Sequence, residues 1–205
     1  MKTKMMLAMS LVAAMILFTG CGSKEMAKTG FLSDYSKLQK ESDTTMRYVN
    51  NTAAASYSSF IVDPVQTRLY SDPKAKGKLT DEQMKDLTSY MQSKIVEAVT
   101  EAGLKVVHQP AAGVARVRVA LTNIEKTDAI NMLPQAALLG AGIGGASMEA
   151  EVVDSVTGKQ IAAVLQSGKG SHVPFASLGD WTAAKSVMDE WAKNVRKKLE
   201  TMHSK

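Results

Sequence analysis

At 205 residues and a formal net charge of +5, the chain is long enough for one domain with its own core and too short for two comfortable ones. Residues 1–20 hold Lys2 and Lys4 and no acid, so without them the charge falls by two, too mild a balance to read as a nucleic-acid surface. Aromatic residues are 5% of the chain and methionines number 13, which predicts an aliphatic, adaptable core.

The N-terminus carries Lys2 and Lys4, an apolar run from Met5 to Phe18, and then Thr19-Gly20-Cys21-Gly22-Ser23. This is the pattern of a secretory signal, too short for a comfortable membrane span. The cysteine after Thr19-Gly20 resembles the bacterial lipobox, with Phe18 in place of the usual leucine. Cys21 is the only cysteine and has no partner for an intrachain disulfide. Acylation consumes the lone thiol, and each buried acyl CH₂ contributes about 0.8 kcal/mol to anchoring. The expected organisation is a lipoprotein signal peptide over 1–20, an acylated cysteine and tether over 21–29, and one α+β domain over 30–205. Gly22 stands where enteric inner-membrane lipoproteins carry aspartate, so that resemblance implies the outer membrane.

Further along, Phe31, Tyr35 and Leu38 recur at helical spacing and predict a short helix or turn. Either they pin the tether to the domain or they form a partner-binding peptide. Tyr57 to Val62 reads as a strand ended by Asp63-Pro64, and residues 71–78 read as a loop. Thr80-Asp81-Glu82-Gln83 is a capping box opening a helix whose apolar stripe runs from Met84 to Ala102, with Gly103 as its stop. A short strand over 104–107 and a turn over 110–113 follow. Alternation then predicts strands over 115–124 and 147–154, a turn at Asp154-Ser155-Val156-Thr157-Gly158, and a returning strand over 160–166. Trp181, Ala184, Met188, Trp191, Val195, Leu199 and Met202 line a terminal helix with Asp180 as its N-cap. The order predicts an α+β two-layer sandwich, a mainly antiparallel sheet with two long helices packed on one face.

Gly140, Gly142 and Gly145 have the spacing of a dinucleotide loop, but a strand rather than a helix follows them. No nucleotide, cofactor or nucleic acid is expected. Residues 129–148 carry no charge, which predicts packing either on the domain itself or against another apolar surface.

Together the lipobox, Gly30-Phe31-Leu32-Ser33-Asp34-Tyr35-Ser36-Lys37-Leu38, Asp63-Pro64-Val65, the uncharged glycine-rich stretch and Glu149-Ala150-Glu151 with its Asp154–Gly158 turn resemble the bacterial lipoproteins called domain of unknown function 3313. The family name implies class and location and no activity. A broader, fold-level similarity is to strand–helix–strands–helix domains of envelope lipoproteins.

His108, His172 and His203 are scattered, and neither zinc spacing nor a nucleophile elbow is present. No catalytic or metal residue is expected. Glu149 and Glu151 share a strand face and could suggest paired-carboxylate chemistry. Arg116 and Arg118 on a neighbouring strand offer a simpler role, outward-facing charge pairs across strands. The possible partner surface is therefore Phe31, Tyr35, Leu38, Arg116, Arg118, Glu149 and Glu151. The leading expectation is a non-catalytic outer-membrane-anchored periplasmic lipoprotein that binds or scaffolds an unidentified envelope protein or cell-wall polymer. The alternative is a hydrolase or polymer-binding protein acting on cell wall or polysaccharide.

Overall fold

The structure is a computed structural model and describes residues 26–69, 79–125, 144–170 and 181–203. Cys21, the 71–78 loop, Gly140, Gly142, His172 and Asp180 lie outside the described residues.

The elements in chain order are β1 (Gln39–Ser42), β2 (Thr45–Val49), α1 (Asn51–Ala54), β3 (Ser59–Val62), β4 (Gln66–Thr67), α2 (Asp81–Glu101), β5 (Lys105–Val106), β6 (Val114–Glu125), β7 (Gly145–Asp154), β8 (Gln160–Lys169) and α3 (Thr182–His203). They form an α+β fold around one eight-stranded sheet of order β1-β2-β8-β7-β6-β3-β5, with β4 also pairing β6. The four pairings from β1 to β6 are antiparallel. Beyond β6 the sheet turns parallel, because β3 and β4 both run beside β6 in its own direction. Asp63-Pro64-Val65 separates those two strands, and Pro64 brings no amide to the ladder.

The capping box forms as the sequence predicts. The Gln83 amide donates to Thr80 Oγ1 at 3.2 Å, and the Thr80 amide donates to Gln83 Oε1 at 3.0 Å. Leu87, Met91, Ile95, Ala98 and Val99 form the buried stripe of α2, which stops at Gly103 with φ +76°. That backbone angle suits glycine because an L side chain would crowd the following carbonyl. Polar pairs join α2 to α3, among them Asp86 with Lys185, Tyr90 and Lys94 with Asp189, and Glu101 with Arg196. The numbers rise together along both helices, so the two run side by side in the same direction.

The sheet residues enter three core clusters, one of them around Phe60, Ala115, Ile161, Val99 and Leu199, and strand alternation separates the other two. Val119, Leu121, Ala146 and Met148 meet Leu87, Met91, Met188 and Trp191 in the first. The residues between them, Ala120 on β6 with Ala163 and Leu165 on β8, meet Phe31, Leu32 and Leu38 in the second. Since successive side chains leave opposite faces, the second cluster lies across the sheet from the first. The segment over 26–38, hereafter the strap, is thus a further layer that a two-layer reading does not contain.

Other departures have local causes. Of the short helix or turn expected in the strap, the turn is what forms, at Ser36-Lys37, and the apolar side chains around it pack on the sheet. Val195 is 37% exposed although it falls within the apolar stripe of α3. Gly145 opens a strand, and a Cβ there would stand 2.3 Å from the Gly168 carbonyl oxygen. This glycine serves close approach of two backbones rather than a phosphate.

Candidate functional site

The site with the most unusual chemistry lies under the strap. On β7, Met148, Ala150 and Val152 pack into or against the apolar clusters, and alternation turns Glu149 and Glu151 to the other face. In register, Glu149 stands between Ala120 on β6 and Leu165 on β8, and Glu151 between Arg118 and Ala163. The two alanines leave room for carboxylates to lie close to the sheet. The strap closes over them, and Glu149 and Glu151 are 0% and 1% exposed.

A buried carboxylate is costly unless donors replace its water. Here the strap supplies most of them. Glu149 Oε1 accepts from the Thr29 amide at 2.6 Å, and Oε2 accepts from the Tyr35 hydroxyl. Glu151 Oε2 accepts from the Ser33 amide at 2.9 Å, the Ser33 hydroxyl at 2.7 Å and Gln160 Nε2 at 3.0 Å. Its other oxygen accepts from Arg118 Nη1 at 2.5 Å. Gln160 also donates to the Asp34 carbonyl at 3.1 Å, and the Arg118 guanidinium lies 5.2 Å from the centre of the Phe31 ring. Burial, and then the Glu149 carboxylate it serves, push the Tyr35 phenol above its ordinary value, so it remains a donor.

These contacts place the residues expected to form a partner surface. Phe31 and Leu38 are buried against the sheet, and Tyr35 is half-buried on Glu149. The pairing of arginines with glutamates needs correction. Arg118 does face Glu151, but the pair is not outward-facing, since the glutamate is enclosed. Arg116 pairs instead with Asp63 at 2.6 Å: it stands between Val153 of β7 and Ile61 of β3, and Asp63 directly follows β3. Glu149 faces Ala120 and is held by the strap. Two residues escaped the sequence reading. Ser33 and Gln160 look like ordinary polar positions, and only the fold brings them within reach of Glu151.

The Asp154–Gly158 turn is held by Asp154. Its Oδ1 accepts from the amide and hydroxyl of Thr157 and from the Val156 amide, and Oδ2 accepts from Tyr57. The Thr157 amide, the Thr157 hydroxyl and Tyr57 hold the carboxyl at about 2, well below the ordinary 3.8.

Among the described residues, no group of three or more His, Cys, Asp or Glu could hold a metal ion. His108 is exposed, and the ring nitrogens of His203 lie 2.8 Å from the Leu199 and Tyr57 carbonyls. No described helix is long and apolar enough to cross a membrane.

The strap from residue 27 onward, the buried glutamates and the hairpin that carries them fall within residues 27–195, the stretch matched by the family described as Protein of unknown function (DUF3313). The chain belongs to this family. No curated protein matches it. Among solved structures it is similar to a variant PelC dodecamer from Paraburkholderia phytofirmans, with a TM-score of 0.45 and 13% identity over 75% of this chain and 96% of that one. A minor lipoprotein from Acinetobacter baumannii aligns with a TM-score of 0.39 and 9% identity, over 71% of this chain and 94% of that one. Lipoprotein GNA1162 from Neisseria meningitidis aligns with a TM-score of 0.34 and 14% identity, over 56% of this chain and 82% of that one.

Proposed function

We propose that this DUF3313 protein is a lipid-anchored, non-catalytic lipoprotein of the bacterial envelope. In this reading Cys21 carries the lipid, the domain faces the periplasm from the outer membrane, and the protein binds or scaffolds another envelope component, a protein or a cell-wall polymer. Both long helices occupy one face of the sheet and the strap the other. The observation that carries the reading is the position of the strap relative to the lone cysteine. Thr29, gripped by Glu149, is eight residues beyond Cys21. At about 3.3–3.6 Å per residue, that attachment point lies no more than about 29 Å from the acylated cysteine. The strap therefore acts as a short mooring that holds the domain against the membrane surface rather than as a long flexible leash.

The same geometry argues against paired-carboxylate hydrolysis. Glu149 and Glu151 are covered, and their oxygens already accept hydrogen bonds from the protein. A glycosidic oxygen does not reach them while the strap is seated.

The test is Cys21→Ser in the full chain, with palmitate labelling and membrane fractionation. Loss of label together with loss of acyl-dependent membrane attachment supports the reading. A variant that fractionates with membranes by the same extraction criteria as the parent overturns it.

A further inference from the structure

Away from the strap, the helix-side face of the sheet holds a cavity of about 190 Å³ beneath α3. Its walls are apolar: Val117, Ala150, Val152, Val164, Ile95 and Trp191 all line it. For scale, an engineered cavity of roughly 150 Å³ with such walls stays dry and takes up benzene. The space here suits an apolar chain of about six to eight carbons by the same measure.

The cavity is open at one side, and the residues there differ in character from its walls. Val195 and Lys198 of α3 line it and are exposed, as is Asn194. Arg47 lines it too, from β2, in register with Val164 on β8. Its Nε lies 3.0 Å from Glu41 Oε2, yet it is enclosed and has no hydrogen-bond acceptor among the described residues. An apolar stripe that continues through Val195 to the surface, flanked by Arg47 and Lys198, explains why this valine lies in the stripe but is not covered.

We propose that this cavity binds the hydrocarbon tail of a single-chain anionic amphiphile, a fatty carboxylate, with its head between Arg47 and Lys198. The walls remove the tail from water, which tightens binding about fourfold per buried CH₂. The two cations select an anionic over a cationic head at the mouth, and Glu41 beside Arg47 lets the guanidinium exchange partners without creating a buried unpaired charge. The site lies across the sheet from the strap and does not depend on the anchoring role given to it.

Trp191 in the wall supplies the readout. The full chain carrying Trp181→Phe, in discs of neutral phosphatidylcholine, has Trp191 as its one tryptophan. It is titrated with 8-bromooctanoate, whose bromine quenches indole on contact, and with 8-bromooctylammonium. The account expects saturable quenching by the carboxylate at concentrations about fivefold or more below the amine, the ratio that roughly 1 kcal/mol of charge interaction produces. Lys198→Glu reverses or erases that preference while leaving the unfolding temperature unchanged. Ala150→Leu and Ala162→Leu, which fill the cavity from neighbouring strands, remove saturable quenching in whichever of the two retains the parent circular dichroism. Equal quenching by acid and amine, quenching that survives in a folded filled variant, or quenching that rises linearly as in bilayer partitioning each overturns the proposal.

Discussion

The two faces of the sheet are built from the same strands by opposite chemistry. On β7, Met148 enters an apolar core with Met188 and Trp191, while Glu149 and Glu151, set among the apolar side chains under the strap, are held by its polar groups. The apolar face needs only area, which is non-directional, and many sequences satisfy it. The polar face needs particular donors at particular places. Thr29, Ser33 and Tyr35 come from 114 to 120 residues away to supply them. The comparison teaches that the strap belongs to the folded domain: without it, two carboxylates on a central strand face water beside exposed Leu165 and Ala163.

The largest effect should come from the apolar face. Trp191→Ala, at a 3% exposed position, is expected to cost about 3–5 kcal/mol in urea unfolding of the full chain. A midpoint within error of the parent would mean α3 does not seal the core there. On the strap face, Arg118→Met removes the one cation in contact with buried Glu151 among the described residues, and the expected loss is about 2–4 kcal/mol, below the fully buried case because Arg118 is one-third exposed. Reversing Arg116 and Arg118 to glutamate and Glu149 and Glu151 to lysine together should recover none of the loss. The Thr29 and Ser33 amides would then face ammonium groups that cannot accept from them.

Tyr35→Phe leaves one oxygen of Glu149 without its donor and should cost about 1–3 kcal/mol. Arg116→Ala disrupts a pair with Asp63 in which both partners keep some contact with solvent, unlike Glu151, and about 0.2–1 kcal/mol is expected. Double-mutant cycles sharpen the contrast: the Arg118–Glu151 coupling should exceed the Arg116–Asp63 coupling, and equal couplings would mean the strap does not exclude water. The smallest effect concerns pH. Asp154 titrates at about 2 in the folded chain against an ordinary 3.8, so its contribution to stability is present above 3.8 and is lost as pH falls through about 2. A carboxyl titration by NMR with a midpoint near 3.8 would remove the turn from the account.

What was legible in the sequence follows the same division. The capping box at Thr80, the α2 stripe and the hairpin around Asp154–Gly158 are local or periodic, and one sequence is enough to read them. The first two strands escaped notice because β1 is polar and exposed throughout, while Met46 and Tyr48 of β2 alternate over too few residues to stand out. Glu149 and Glu151 read as solvent-facing because charge ordinarily signals exposure, and nothing within ten residues of either announces the strap. The strap spacing of Phe31, Tyr35 and Leu38 fits a helix as well as an extended segment with a turn, so periodicity alone does not decide between them. Gly145 was separable from a phosphate loop by the strand that follows it, whereas the close Gly168 backbone that requires it is a tertiary fact.

The most direct test of the strap as a structural layer is amide hydrogen exchange at Thr29 and Ser33 in the full chain. Both amides lie outside any helix or strand, and both donate to buried carboxylates. The account predicts protection of about a hundredfold or more over an unstructured peptide, lost at Thr29 in Glu149→Ala and at Ser33 in Glu151→Ala. Exchange of both amides at unstructured-peptide rates in the parent chain would contradict it.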